Sequence, residues 1–145
     1  MSSTEKKSII VPALNEEEGV AEVVKRCLAV CGSGDEVIVV DDGSTDKTSE
    51  VAKHAGARVV RHEKNRGKAS ALRTGFDSAK NEIVVTIDAD CTYPPEAIPE
   101  MMEKITHADL VVGTRFRGMW PKDLPIHRTL ANKLGALFAS VLLAR

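Results

Sequence analysis

The sequence predicts an α/β protein with helices layered on both sides of a mostly parallel β-sheet, and three observations predict it. Short β-branched runs alternate with stretches of three- and four-residue apolar periodicity along almost the whole chain. Several of the strand runs are near-continuously apolar, as parallel strands covered on both faces are. Glycine or proline stands between most neighbouring segments, where helices and strands stop. Strands alternating with helices imply crossover connections and a single sheet. The 145 residues suffice for one core, and no internal repeat, low-complexity tract or linker divides them, so residues 1–145 read as a single domain.

Taken in order, "SIIVP" (residues 8–12) is a β-branched run closed by proline. Asn15 sits three residues before Glu18, the spacing of a capping box. The helix it would open carries Val20, Val23, Val24, Cys27, Leu28 and Cys31 on one stripe and ends at Gly32 and Gly34. "EVIVVD" (36–41) is the second strand, "TDKTSEVAKHAG" a short helix ended by Gly56, and "ARVVRH" the third strand. "GKASALRTGFDSAK" reads as a helix burying Ala69, Leu72, Phe76 and Ala79. "EIVVTID" is the fourth strand, "PPEAIPEMMEKI" a helix opened by prolines, and "DLVVGTR" a fifth strand. From residue 126 to 145 a last helix aligns Leu130, Leu134, Leu137, Phe138, Val141 and Leu142.

Composition excludes several classes. Hydrophobic content of 43% with 28% charged residues is that of a soluble globular protein. A net charge of −1, no basic stripe and 3% aromatic residues give no platform for nucleic acid. Cys27, Cys31 and Cys91 have neither disulfide arithmetic nor metal spacing, and suit a reducing cytoplasm. The N-terminus lacks the apolar run of a signal peptide, and "LANKLGALFASVLLAR" is too short to span a bilayer.

In sheets of this kind ligands bind beyond the carboxyl ends of the strands. The residues there are Asn15 and Glu16 after the first strand, Asp41 and Asp42 after the second, Asp88 and Asp90 after the fourth, and Arg115 and Arg117 after the fifth. Asp88 and Asp90 stand two apart, so on an extended chain they face one side, roughly 6–7 Å apart. Two ionised carboxylates that close need positive charge beside them. Mg²⁺ or Mn²⁺ suits, since such ions take one or two carboxylates together with substrate phosphates. The bland alternative is a turn or a helix cap helped by Pro94 and Pro95. "DDGS" (41–44) has its own turn reading, through Gly43 and a Ser44 or Thr45 cap. Its functional reading has Asp42 accepting from a base N–H or ribose hydroxyl. Gly67 and Lys68 either open a solvated helix or approach a diphosphate. The four histidines have no spaced partners and read as structural or surface residues.

"VPALNEEEGV", "VIVVDDGSTDKT", "NRGKASALRTGF", "DADCTYPPE" and "VVGTRF" occur here in one order. The chain thereby resembles the family-two inverting nucleotide-sugar glycosyltransferases, nearest the polyprenyl-phosphate (dolichol-phosphate) mannosyl- and glucosyltransferases. The resemblance implies a GT-A fold, a Rossmann-like three-layer sandwich around a mostly parallel mixed sheet, and transfer from a GDP-mannose or UDP-glucose type donor to an acceptor such as a polyprenyl phosphate. It implies a pocket of Pro12, Asn15, Glu16 and Asp42 for the nucleotide, with Lys68 beside the diphosphate. Asp88, Ala89 and Asp90 would hold metal and diphosphate, and Asp90 and Arg115 would carry the chemistry. Arg128 would lie near the acceptor.

Family members continue beyond the "ANKLGALFASVLLAR" helix, so the chain is expected to be the nucleotide-binding part, short on the acceptor side. The expected location is cytoplasmic, with peripheral contact at the cytoplasmic membrane face left open. Two alternatives stand: a non-catalytic nucleotide-sugar binding fragment, and a sugar-phosphate nucleotidyltransferase. Against the second, "PALNEEEG" occupies the place of a Gly-rich arginine loop. A dinucleotide-dependent oxidoreductase is set aside because no G-x-G-x-x-G follows a strand.

Overall fold

A computed structural model of the chain describes residues 5–113. Its elements in chain order are β1 (Lys7–Ala13), α1 (Val20–Ala29), β2 (Glu36–Asp41), α2 (Thr48–His54), β3 (Arg58–Arg61), α3 (Lys68–Ser78), β4 (Ile83–Thr86), a 3₁₀ turn (Pro95–Ala97) and α4 (Ile98–Ile105). The four strands form a sheet in the order β3-β2-β1-β4, and every pairing is parallel. The chain up to Val111 makes one compact unit; Val112 begins a second, of which only Val112 and Gly113 are described. Among the described residues no helix is long and apolar enough to cross a membrane.

Strand alternation splits the core in two. Ile9, Val11 and Ala13 of β1, with Val37 and Val39 of β2, pack against Val20, Val23, Val24 and Cys27 of α1, Ala52 of α2, and Ile98 and Met102 of α4. The intervening Ile10, Ile38 and Val40 pack on the opposite face against Ala71 and Leu72 of α3. The result is three layers, with one helix on one side of the sheet and three on the other.

Register explains where the sheet opens. β1 pairs with β2 along its full length, from Ser8↔Glu36 to Ala13↔Asp41. Its ladder with β4 ends at Ile10↔Thr86, extended only by the Ile87 amide donating to the Ile10 carbonyl at 3.0 Å. Residue 10 faces β4, and residue 13 accepts from the Asp42 amide on the β2 side. By alternation, the nitrogen of Pro12 lies on the side that β4 has already left, where proline removes no ladder bond.

Four expectations are corrected. The α3 face buries Ala71 and Gly75 rather than Ala69 and Phe76; Ala69 is exposed and Phe76 is 50% exposed. The cause is close approach, since a Cβ on Gly75 would lie 2.4 Å from Ile10 Cγ2, so small residues must face the sheet there. In α1 the stripe ends at Cys27: Leu28 is 37% exposed and Cys31 lies beyond the helix end. Residues 109–113 form no strand, and Leu110 and Val112 are exposed; residues 109–111 instead flank an apolar groove beside β4 with Phe76, Met101 and Ile105. The fourth correction concerns Asn15 and is taken up with the site. Thr114, Arg115, Arg117, Arg128 and the helix expected over residues 126–145 lie outside the described residues.

Gly75→Ala is expected to lower stability by about 1–3 kcal/mol through overpacking. A urea titration should show a lower midpoint at unchanged slope. An unchanged midpoint would mean that α3 lifts off Ile10 without loss.

Candidate functional site

The loops after β1, β2, β3 and β4 meet at the carboxyl edge of the sheet around a cleft of about 340 Å³. Pro12, Leu14 and Glu16 line it from β1, Asp42 from β2, Asn65, Gly67 and Lys68 from the β3–α3 segment, and Asp88, Ala89 and Asp90 from β4. Pro12, Glu16, Asp42, Gly67, Lys68, Asp88, Ala89 and Asp90, all named from the sequence, are thus brought together; Asn15 is not on the wall. Ala13, Leu14, Asn65 and Ala71 also line the cleft and were not named from the sequence, because none carries a charge that marks it out.

Asn15 has a different task from the expected one. Helix α1 starts at Val20, capped by Gly19 without any side-chain bond. Asn15 takes a positive φ of 54°, which Asn tolerates better than most residues, and laces two loops together. Its amide donates to Ser44 Oγ at 2.9 Å, and its Oδ1 accepts from the Thr45 amide at 2.9 Å. The Glu16 amide donates to Thr48 Oγ1 at 2.8 Å, and the Lys47 amide to Glu17 Oε2 at 3.0 Å. The β1–α1 and β2–α2 loops are therefore one bonded unit.

Asp41 and Asp42 divide the work of the "DDGS" turn. Asp41 is fully buried; its Oδ1 accepts from the Ser44 amide at 2.8 Å and its Oδ2 from the Ser49 hydroxyl. Asp42 is 4% exposed and receives three donors: His62 Nδ1 at 2.6 Å and the Arg66 amide at 3.0 Å on Oδ1, and the Gly67 amide at 2.7 Å on Oδ2. Burial alone would raise the Asp42 carboxyl, but these hydrogen bonds outweigh it and hold it below the usual carboxylate range. Gly43 has the chain folded tightly over it: a Cβ there would lie 2.6 Å from the Lys64 carbonyl carbon and 2.7 Å from the Asn65 nitrogen.

Asp88 and Asp90 are held more loosely. Lys68 Nζ donates to Asp88 Oδ1 at 2.6 Å, with the two side chains 62% and 36% exposed. Asp90 Oδ1 accepts from the Thr92 amide at 2.9 Å, so the turn reading holds for one of its oxygens. The cap reading does not, since the 3₁₀ turn at Pro95 has no side-chain cap. Bonds from Thr92, with the charge of Lys68 adding to them, hold the Asp90 carboxyl below its ordinary value. The Glu16 carboxyl is pushed up, first by burial and then by the negative charges of Asp90, Asp46 and Asp88. Negative charge is thus concentrated in the cleft, and Lys68 is the cation bonded to it.

Comparison with known proteins gives the family and supports the fold. Residues 8–140 match the family model Glycosyl transferase family 2. The undecaprenyl-phosphate 4-deoxy-4-formamido-L-arabinose transferase of Edwardsiella ictaluri is 40% identical over 116 residues, covering 74% of this chain and 36% of that protein. The dolichol-phosphate mannosyltransferase of Pyrococcus furiosus is 36% identical over 135 residues, covering 88% of this chain and 38% of its own length. The chain therefore spans a little over a third of these relatives. Among solved structures, glucosyl-3-phosphoglycerate synthase from Mycobacterium tuberculosis, in complex with Mn²⁺, UDP-glucose and phosphoglyceric acid, superposes with a TM-score of 0.65 at 33% identity. That match covers 73% of this chain and 41% of that one. The same enzyme with Mg²⁺ and UDP gives 0.62 at 35% identity over 70% of this chain and 40% of that one.

Asn15→Ala is expected to destabilise the fold by about 1–2 kcal/mol, from a left-handed alanine and a lost acceptor. Asn15→Asp keeps the acceptor and should lose less. Thermal unfolding of the two variants beside the parent checks this ranking.

Proposed function

The chain belongs to glycosyl transferase family 2, and on that premise we propose that it binds a nucleotide-diphosphate sugar in the carboxyl-edge cleft for inverting transfer of the sugar. The acceptor proposed first is a polyprenyl phosphate, and the donor is of the GDP-mannose or UDP-glucose type. The observation that carries the reading is the convergence of Glu16, Asp42, Lys68, Asp88 and Asp90 on one open cleft.

The donor set suits Mg²⁺ or Mn²⁺. Asp88 and Asp90 are hard oxygen donors on one wall, and the Glu16 carboxyl beside them is pushed up by burial first and then by the charges of Asp90, Asp46 and Asp88. Among the described residues no three His, Cys, Asp or Glu side chains converge as a metal cage. The protein would supply two carboxylates, and diphosphate oxygens and water the remaining positions. When bound, the ion supplies charge stabilisation for the departing diphosphate.

The remaining work falls to the chain's own groups. Glu16 and Pro12 shape the nucleotide end of the cleft, and Asp42 retains an unused acceptor position on Oδ2 for a base or ribose donor. Lys68, exposed and on a flexible stem, can turn from Asp88 to a diphosphate oxygen. Arg115, proposed for the leaving diphosphate, and Arg128, proposed for the acceptor, would add positive charge where negative charge builds. An acceptor phosphate is already an anion, so positioning replaces a strong general base. The cytoplasmic face of a membrane is the proposed location, because a polyprenyl phosphate is held there. A second reading is donor binding without turnover, since the described cleft groups all belong to the proposed donor side.

Turnover of GDP-mannose and UDP-glucose with a polyprenyl phosphate, with and without Mn²⁺, separates the two readings. Asp90→Asn is expected to weaken Mn²⁺-dependent binding of UDP or GDP at least tenfold, about 1.4 kcal/mol. Calorimetry giving the parent equal affinity with and without the metal would overturn the metal assignment. Lys68→Met should bind Mn²⁺ alone more tightly than the parent and the metal–nucleotide pair less tightly.

A further inference from the structure

Asp42 and Lys68 are linked through a group that the proposed reaction does not use. His62 follows β3 and is only 7% exposed. Its amide donates to the Asp41 carbonyl at 2.9 Å, which continues the β2–β3 ladder and sets the ring beside Asp42. The ring spans two elements: Nδ1 lies 2.6 Å from Asp42 Oδ1, and Nε2 lies 2.8 Å from Thr74 Oγ1 on α3. An ionised Asp42 can only accept, so the short contact assigns a proton to Nδ1.

The other donors to Asp42 are the amides of Arg66 and Gly67, the two residues directly before Lys68. One carboxylate oxygen serves each amide, and the Gly67 amide also donates to Asn65 Oδ1 at 2.9 Å, so the rotation of this carboxylate decides whether the Arg66 amide is held and whether Gly67 keeps both its acceptors. His62 shares Oδ1 with Arg66 and thereby fixes that rotation from the side away from the loop. Lys68 in turn reaches Asp88 at 2.6 Å. Bonded groups run without a break from Thr74 through His62, Asp42 and the 66–67 backbone to Lys68 and Asp88.

We propose that His62 is a positioning residue for the nucleotide-diphosphate site, holding the Asp42 carboxylate so that the 66–67 backbone presents Lys68 to the cleft. The inference rests on the reading of that cleft as a donor site. His62 itself does not line the cleft. Its effect reaches a ligand only through Asp42 and the loop. A histidine that merely filled space would contribute to stability and leave the folded protein's affinity unchanged.

Three variants separate these roles. His62→Leu removes both ring contacts; His62→Asn places an amide N–H where Nδ1 stands and keeps only the Asp42 bond; Thr74→Val keeps the ring and drops only the far partner. Two measurements are made below the melting midpoint of every variant. Without ligand, hydrogen exchange at the Arg66 amide should speed up at least about tenfold in His62→Leu, with a smaller rise at the Gly67 amide, which keeps Asn65 Oδ1, and should change less than about threefold in the other two. With Mn²⁺ and UDP or GDP as probes, calorimetric affinity should fall at least about tenfold in His62→Leu and stay within about threefold in His62→Asn and Thr74→Val. Affinity for Mn²⁺ alone should fall in none of the three and should rise in His62→Leu, where Lys68 is presented less firmly to Asp88. If His62→Leu does not fold, His62→Asn carries the test, and a tenfold loss there overturns the proposal. Parental exchange rates and affinity in His62→Leu also overturn it, while a parent that still loses binding on Asp90→Asn leaves the donor-site reading standing. A parent that binds neither diphosphate overturns both.

Discussion

The carboxyl edge of this sheet is shaped by one inequality of length: β1 runs for seven residues and β4 for four. Backbone amides and carbonyls are satisfied up to the point where the shorter strand stops, and beyond it two strands that were paired must part. Pro12 sits where they part and has no donor to lose. Asp88 and Asp90 leave β4 on one side of the gap while Glu16 leaves β1 on the other. Had β4 matched β1 residue for residue, the acids would lie along a closed ladder with no room between them. An open cleft in a parallel sheet is thus a consequence of register, and its acidity follows from which residues each strand ends on.

That acidity creates an electrostatic problem with a definite sign. Glu16, Asp88 and Asp90 share one small volume, and Asp46 adds to the field at Glu16. Among the described residues, only Lys68 bonds to the outer pair from the cationic side. Ion pairs this exposed contribute little to stability, so the Lys68–Asp88 contact is better understood as a reversible charge balance than as a strut. A ligand that brings both a divalent cation and an anionic diphosphate satisfies the carboxylates and the lysine together. A cation alone displaces the lysine and leaves it unpaired, and a diphosphate alone meets the carboxylates. Joint binding of metal and nucleotide is the arrangement that relieves both repulsions.

The fold was legible where a signal is local. The apolar runs, one closed by Pro12 and two ending on acids, place β1, β2 and β4 and their rim, and the α1 stripe holds from Val20 to Cys27. Legibility failed where the partner is distant in sequence. Asn15 and Glu18 have capping-box spacing, but the groups that Asn15 binds are on Ser44 and Thr45, about thirty positions away. The buried face of α3 was misread because periodicity weights large apolar residues. There the governing contact is Gly75 against Ile10, which demands the absence of a side chain. The run at residues 109–113 has strand composition and no ladder among the described residues, since composition names a tendency and pairing needs a neighbour in register. His62 carried one faint signal, its position at the end of the third strand, level with the acids ending the second.

Asp42 and Asp88 look alike in the sequence, each an acid at the end of an apolar strand, yet their surroundings give them opposite capacities. Asp42 is buried, and two of its three donors are backbone amides of a single loop. Withdrawing that carboxylate would release the Arg66 amide, leave Gly67 to Asn65 alone and strand the buried His62 ring, which makes it a fixed point. Asp88 is partly exposed and bonded by one lysine side chain, which can move away by rotation about its own bonds. A site that must bind and release a charged ligand needs both kinds of acid. One sets the geometry and keeps its partners throughout; the other changes partners when the ligand arrives. The same residue type serves both ends because the donors around it, backbone in one case and side chain in the other, decide whether the bond can be exchanged without moving the fold.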